Sequence, residues 1–204
     1  MKLEEINGCY DAIFSLGSKC LASIQLRKNQ LRPYSGVLDW MLSPSLQHVN
    51  LLLRNRFTSF LDYKHLALQP NAGNMLYRDV FYNITLAHDM PLKQNVHDLT
   101  CYPELRRKMD RRIQRFLEKC DTCPKILFIR LGGTWEEVLE LQQVLSGLVT
   151  HDFRILLVNH STTYQIIDTG CSLEKVCSIQ IPLELECDDL WRIILHRFQL
   201  VSEL

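Results

Sequence analysis

Apolar positions along the chain fall into two rhythms. Short runs that are apolar at consecutive positions occur at residues 12–16 ("AIFSL"), 125–131 ("KILFIRL"), 153–160 ("FRILLVNH") and 176–182 ("VCSIQIP"). Runs of that length bounded by turn residues predict strands buried on both faces. Between them, apolar residues return at helical spacing. Leu21 and Ile24 open one such segment, with Ser18 placed as N-cap. Ser43 as cap and Pro44 at the first helical position introduce another, in which Leu46, Val49, Leu52 and Leu53 share a face. Pro103 starts a third, with Leu105, Met109, Ile113, Phe116 and Leu117 on one side. Thr134 opens a fourth that closes near Gly147, and residues 188–201 predict a closing helix. The β-branched and aromatic stretch 76–91 predicts strands ending near His88, and the turn residues of 68–74 predict a loop.

Strands alternating with helices predict an α/β fold. The expected form is a Rossmann-like, mainly parallel sheet with helices on both faces, in one domain over residues 1–204. Residues 60–102 are left as room for one irregular insertion.

Composition narrows the function classes. The chain has 204 residues, and 47% are hydrophobic, enough for a sizeable core without covalent staples. Lys plus Arg number 23 and Asp plus Glu number 23, so net charge gives no case for a nucleic-acid or membrane-surface partner. No apolar stretch approaches the roughly 20 residues that span a bilayer, and "MKLEEINGCYD" has no apolar leader region. Eight cysteines in such a chain are expected as reduced thiols in the cytoplasm. No cofactor and no metal are expected, and the oligomeric state is not legible.

The chemistry concentrates around Cys20. It follows an apolar strand and Gly17 and precedes a helix. A helix N-terminus favours the thiolate, and turn amides can hold an oxyanion. Read without function, Cys20 is a small buried hydrophobe on the inner helix face. A nucleophile needs a base. His88 ends a β-rich segment at "LAHDMP", and His160 ends another strand at "VNH" as its competitor. Asp39 in "VLDWM" and Asn159 are candidates for the group that orients the base, whereas Asp89 follows His88 directly and should point the other way. Other signals are weaker. "CDTC" has metal or redox spacing but no second pair, and "RLGGTWEE" lacks the full glycine pattern of a phosphate loop. Arg106, Arg107, Lys108, Arg111, Arg112 and Arg115 lie largely off the apolar face of their helix, which is a solvated face or a site for an acidic partner.

The ordered segments "FSLGSKCLASIQL", "VLDWM", "LAHDMP", "RRKMDRRIQRFLEKC", "KILFIRL" and "DFRILLVN" resemble the bacterial family of putative papain-like cysteine peptidases, DUF1796. The resemblance runs from about Tyr10 to Arg197. It implies Cys20 as nucleophile and His88 as base, with Asp39 and Asp89 at the family's two aspartate positions. Leu38 and Met90 stand where the family pattern has phenylalanine. The leading expectation is therefore a cysteine-dependent hydrolase or acyltransferase acting on an acyl or peptide substrate through Cys20, His88 and Asp39. Gly17, Ser18, Trp40, Asp89 and Asn159 are expected to line the substrate site. The rival expectation is a non-catalytic binding domain, or a sugar- or nucleotide-handling domain of glycoconjugate synthesis, with its ligand crevice around Gly17, Gly132 and Asn159.

Overall fold

A computed structural model describes residues 1–71, 74–89, 101–184 and 186–201. After a short 3-10 turn the chain lays down β1 (Gly8–Tyr10) and β2 (Ala12–Ser15), then α1 (Leu21–Lys28). β3 (Met41–Leu42), α2 (Leu46–Arg54), β4 (Leu66–Asn71), β5 (Asn74–Asp79) and β6 (Ile84–Leu86) follow. The second half runs α3 (Tyr102–Thr122), β7 (Lys125–Leu131), α4 (Trp135–Leu148), β8 (Asp152–His160), β9 (Ile167–Asp168), β10 (Val176–Ile181), α5 (Asp188–Leu195) and β11 (Phe198–Leu200).

The largest sheet has the order β2-β7-β8-β10-β9. Its first four strands pair in parallel, so the three runs at 12–16, 125–131 and 153–160 are neighbours. Alternation along each strand divides the core. Ala12, Phe14, Ile126, Phe128, Phe153 and Ile155 face one side, where α2, α3 and α4 contribute Val49, Met109, Phe116 and Leu141. Ile13, Leu127, Ile129, Leu156, Cys177 and Ile179 face the other, against Leu21 and Leu26 of α1 and Trp191 and Ile194 of α5. Each strand thus buries both faces, which is why the runs carry no polar alternation.

The expectation of a mainly parallel, Rossmann-like sheet needs correction. The sheet is mixed, because β9 pairs antiparallel with β10. A second sheet, β3-β6-β5-β4, is antiparallel throughout. It occupies much of residues 60–102, so the described part of that stretch is regular rather than an irregular insertion. Of residues 68–74, expected as a loop, 68–71 and 74 extend antiparallel strands instead, with Leu66↔Asp79 to Asn71↔Asn74 in register. Residues 72–73 and 90–100 lie outside the described residues, and Met90 and Pro91 with them.

Two element ends also differ from expectation. Residues 196–201 continue the helical spacing of α5, since Phe198 follows Leu195 at three positions. They form β11 instead, because β1 offers a free edge: Gly8 N–H donates to Arg197 O, Val201 N–H donates to Tyr10 O, and Phe198 packs edge-on against Tyr10. Ser43 does not cap α2. Ser45 does so, its hydroxyl accepting the His48 N–H. α4 starts as expected, at Thr134, whose hydroxyl accepts the Glu137 N–H while Glu137 reaches back to the Thr134 N–H.

Candidate active site

β2 delivers the chain at the C-terminal edge of the main sheet, and the turn Leu16-Gly17-Ser18 leads from it to Cys20. The turn is left-handed at both central residues, with φ of 76° at Gly17 and 84° at Ser18. A Cβ at Gly17 would stand 2.6 Å from Ser43 Oγ, so glycine is required by space as well as by φ. Ser18 is therefore not the cap of α1. Its N–H donates to Ser43 Oγ at 2.9 Å, and Gly17 N–H donates to Ser15 Oγ at 3.2 Å. Both turn amides are spent on hydroxyls, which leaves the first turn of α1 as the source of oxyanion donors. Cys20 is the N-cap residue of α1, makes no side-chain cap bond, and no acidic side chain occupies the first turn.

Behind the turn stands Arg130, 1% exposed and flanked by apolar residues in β7. Its guanidinium donates to Leu16 O and Ser43 O at 2.9 Å each, to Ser43 Oγ at 3.2 Å, and to Gly132 O at 3.2 Å. One buried cation thus ties together the turn before Cys20, the entry to α2 and the exit of β7. Burial pulls its pKa down to about 10, which leaves it charged at neutral pH. The charge inside "KILFIRL" was the visible signal for this residue, since a buried strand admits an arginine only where acceptors surround it.

Asp39 is buried just before the half-buried Trp40. Its Oδ2 accepts from Arg32 Nη1 at 2.7 Å and from Gly36 N–H at 2.8 Å. Burial nevertheless outweighs these partners and holds the carboxyl above its ordinary pKa. The Asp39 and Cys20 carbonyls both accept from the Ser23 hydroxyl, at 2.7 and 2.8 Å, which fastens the 39–40 segment to α1. The Arg32 guanidinium also lies 4.8 Å from the Trp40 ring centre, and Arg27 lies 5.9 Å from it.

Pairing of β3 with β6 brings His88 to this segment. Met41 faces Leu86, and Ala87 N–H donates to Trp40 O at 3.0 Å. His88 follows, exposed, with its ring edge-on to Trp40 at 5.8 Å. The Asp89 side chain, by contrast, is 6% exposed. Arg112 grips it with two bonds of 2.8 and 3.3 Å, and Lys108 adds one at 3.3 Å.

Ser23 thus links the Cys20 and Asp39 carbonyls, the charges of Asp39 and Asp89 reach the Cys20 thiol, and His88 is set against Trp40. Asp39 is committed to Arg32 and Gly36. No hydrogen bond joins the Cys20 thiol to the His88 ring among the described residues. Asn159 stays apart, in the β8–β10 ladder opposite Gln180, and His160 Nδ1 accepts the Leu183 N–H instead of facing Cys20. Burial first, then the Asp39 and Asp89 carboxylates, push the Cys20 thiol above its ordinary pKa, against a pull from its own backbone N–H. The helix N-terminus therefore does not lower this thiol, contrary to the sequence expectation, because two negative charges and partial burial outweigh it. Arg32 and Arg130 escaped the sequence reading, and Lys108 and Arg112 were expected there as a solvated face or a site for an acidic partner rather than as partners of Asp89. Lys108, Arg112 and Arg115 stand at i, i+4 and i+7 on α3, one face of a helix whose basic residues otherwise read as solvated.

The eight cysteines are all free thiols. Among the described residues no three His, Cys, Asp or Glu side chains converge to hold a metal ion, and no helix is long and apolar enough to cross a membrane. The sequence matches the family described as "Putative papain-like cysteine peptidase (DUF1796)" over residues 11–163. It is also 28% identical over 193 residues to the uncharacterized protein R408 of Acanthamoeba polyphaga mimivirus, covering 81% of this chain and 85% of that protein. No solved structure matches the chain.

Proposed function

The chain belongs to the DUF1796 family, and on that premise we propose that it is a cysteine-dependent acyl hydrolase acting on peptide bonds, with Cys20 as nucleophile and His88 as base. The observation that carries this reading is the meeting of two elements at Trp40. The uncapped start of α1 presents Cys20, and the β3–β6 pairing sets the His88 ring against the Trp40 indole. Exposure leaves His88 able to swing toward a bound substrate, and catalytic hydrogen bonds commonly tighten only in the substrate complex.

The raised thiol pKa sets the order of events. Cys20 holds its proton at neutral pH, so His88 takes it during attack rather than in a standing ion pair. The sulfur bonds to the acyl carbon, and the first-turn N–H groups of α1 receive the carbonyl oxygen as it becomes negative. His88 passes its proton to the departing amine. Water then adds to the thioester with His88 again as base, which releases the acid and restores the thiol. Asp39 acts at one remove, because it fixes Arg32 under Trp40 and so fixes the wall against which His88 rests.

A peptide library incubated with the protein and read by mass spectrometry tests the assignment. Cleavages that vanish together in Cys20→Ala and His88→Ala support it, and cleavage that survives in Cys20→Ala rejects it. The rival, a non-catalytic binding domain, is favoured by the missing Cys20–His88 hydrogen bond, and it gains if the parent protein cleaves nothing.

A further inference from the structure

Between α1 and α5 lies an open cavity of about 520 Å³ that the chemistry of Cys20 does not use. α1 lends it Gln25 and Lys28, and the loop after β8 lends it Tyr164. Glu186, just before α5, and Asp188, Asp189 and Arg192 of that helix complete the wall. Gln25 Nε2 donates to Asp188 Oδ1 at 2.6 Å, and Lys28 Nζ donates to Asp188 Oδ1 and Oδ2 at 2.9 and 2.7 Å. The Tyr164 hydroxyl donates to Asp189 Oδ1. These bonds, from Gln25 and then Lys28 to Asp188 and from Tyr164 to Asp189, hold both carboxyls below their ordinary pKa, so both are ionised at neutral pH. Lys28 is spent on Asp188, which leaves Asp189 and Glu186 against the single charge of Arg192.

An acidic wall alone would be a solvated helix start. Gln25 separates this one from that case. Its side chain is wholly buried, and Asp188 sets the orientation of its amide, because turning the amide over would press its oxygen against the carboxylate. The carbonyl oxygen Oε1 is therefore fixed on the other arm of the amide, buried and accepting no hydrogen bond from any described group. A buried acceptor without a donor destabilises a protein, and an apolar side chain of the same length would avoid the loss. The hydrogen-bonding capacity left around the cavity is mainly for accepting: Gln25 Oε1, the Tyr164 oxygen and the carboxylates of Asp189 and Glu186.

From this arrangement we propose that the cavity between α1 and α5 binds a small primary amine in its ammonium form, with Gln25 Oε1 accepting one N–H and Asp189 and Glu186 supplying the opposing charge. An ammonium carries three donors and no acceptor, which matches a wall rich in acceptors. A quaternary ammonium offers the same charge but leaves Gln25 unpaired, so the two kinds of cation are distinguished by the glutamine rather than by the carboxylates. The site is independent of the role assigned to Cys20.

Three probes test this in the intact protein: n-butylammonium, butyltrimethylammonium and 1-butanol. Each is titrated at low ionic strength into isotope-labelled protein, and NMR follows the Gln25 side-chain amide and the backbone amides of residues 25–29 and 186–192. Butylammonium should shift these signals to saturation, butyltrimethylammonium should bind about 5- to 20-fold more weakly, and butanol should give no saturable shift. Gln25→Met keeps the length of the side chain and removes the acceptor, so it should erase the preference for butylammonium over butyltrimethylammonium. Glu186→Gln, at an exposed position, should weaken both cations about 2- to 5-fold and keep the preference. Equal binding of the two cations, an undiminished preference in Gln25→Met, or no saturable shift with butylammonium overturns the proposal. Should Gln25→Met fail to fold, the comparison of the two cations in the parent and in Glu186→Gln decides it.

Discussion

Replacing Arg32 by methionine removes one partner of a buried ion pair and keeps most of the side-chain volume. The pair spans 2.7 Å, and the two side chains are 9% and 2% exposed, so solvent cannot take over the role of the guanidinium. Asp39 is left with the Gly36 N–H as its remaining described donor. Orphaning a buried charge in this way costs about 3–5 kcal/mol, and the lost contact with Trp40 adds about 0.5–1 kcal/mol. In a chain of this length that corresponds to a fall in Tm of about 7–24 °C. Proton uptake limits the loss. Asp39 already sits above its ordinary carboxyl pKa, and without Arg32 it moves higher. A carboxyl with a raised folded-state pKa binds more protons folded than unfolded. Its contribution is then most favourable below the unfolded value, declines as pH rises through the window up to the folded value, and is constant above it. Losing Arg32 widens that window upward, so the stability gap between parent and variant should be full at pH 8 and shrink as the pH falls toward 5. Urea unfolding of both proteins at several pH values measures the gap directly, and Asp39→Asn in the variant background should recover a large part of it. A gap under about 1 kcal/mol, a gap independent of pH, or a double variant less stable than the single one refutes the argument.

The remaining predictions concern the turn and the thiol. Gly17→Ala forces a Cβ to 2.6 Å from Ser43 Oγ at a φ of 76° and should cost about 1–3 kcal/mol in urea unfolding; a neutral result contradicts the packing described. Arg130→Met removes the donor to five acceptor positions and should lower stability by about 3 kcal/mol or more, with a simultaneous change in Cys20 alkylation; loss of stability with Cys20 reactivity unaltered separates the turn from the strut. Asp89→Asn takes away one of the charges that raise the Cys20 thiol, so Cys20 should alkylate several-fold faster at pH 7.5, and a slower reaction counts against the electrostatic assignment. In the parent protein exposed Cys9 should alkylate before Cys20, the reverse of what a helix-start cysteine suggests from sequence.

The parts of the fold that the sequence displayed are those governed by burial on two faces. The runs that became β2, β7, β8 and β10 are apolar on both faces of the pleat along most of their length, and few structures other than buried strands tolerate that. The antiparallel sheet was hidden, because β3 has two residues and β6 three, too short for any period to emerge. The end of α5 was ambiguous in principle: Phe198 satisfies helical spacing, and only the distant edge of β1 decides for a strand. At the site, local pattern pointed to Cys20, His88, Asp39 and Trp40; in the structure Ser23 ties the Cys20 and Asp39 carbonyls together, and the His88 ring stands against Trp40. What pattern lacked was the identity of their partners. Arg32 lies seven residues before Asp39 and Arg112 twenty-three after Asp89, and the second pairing exists only once α3 packs beside the loop. The direction of the thiol pKa follows from those same tertiary charges, so a rule based on the helix start alone gave the wrong sign.

The central claim is that Cys20 attacks an acyl carbon with His88 as its base. The most direct test is to follow the Cys20 thioester by intact-mass spectrometry after mixing with p-nitrophenyl butyrate from pH 5 to 9, in the parent protein and in His88→Ala. The account predicts that in the parent the thioester forms and decays. In His88→Ala formation should be slowed about 100-fold or more at neutral pH, and whatever thioester forms should persist because its hydrolysis has lost the same base. Formation and decay of equal rate in the two proteins, with the same pH profile, would contradict it.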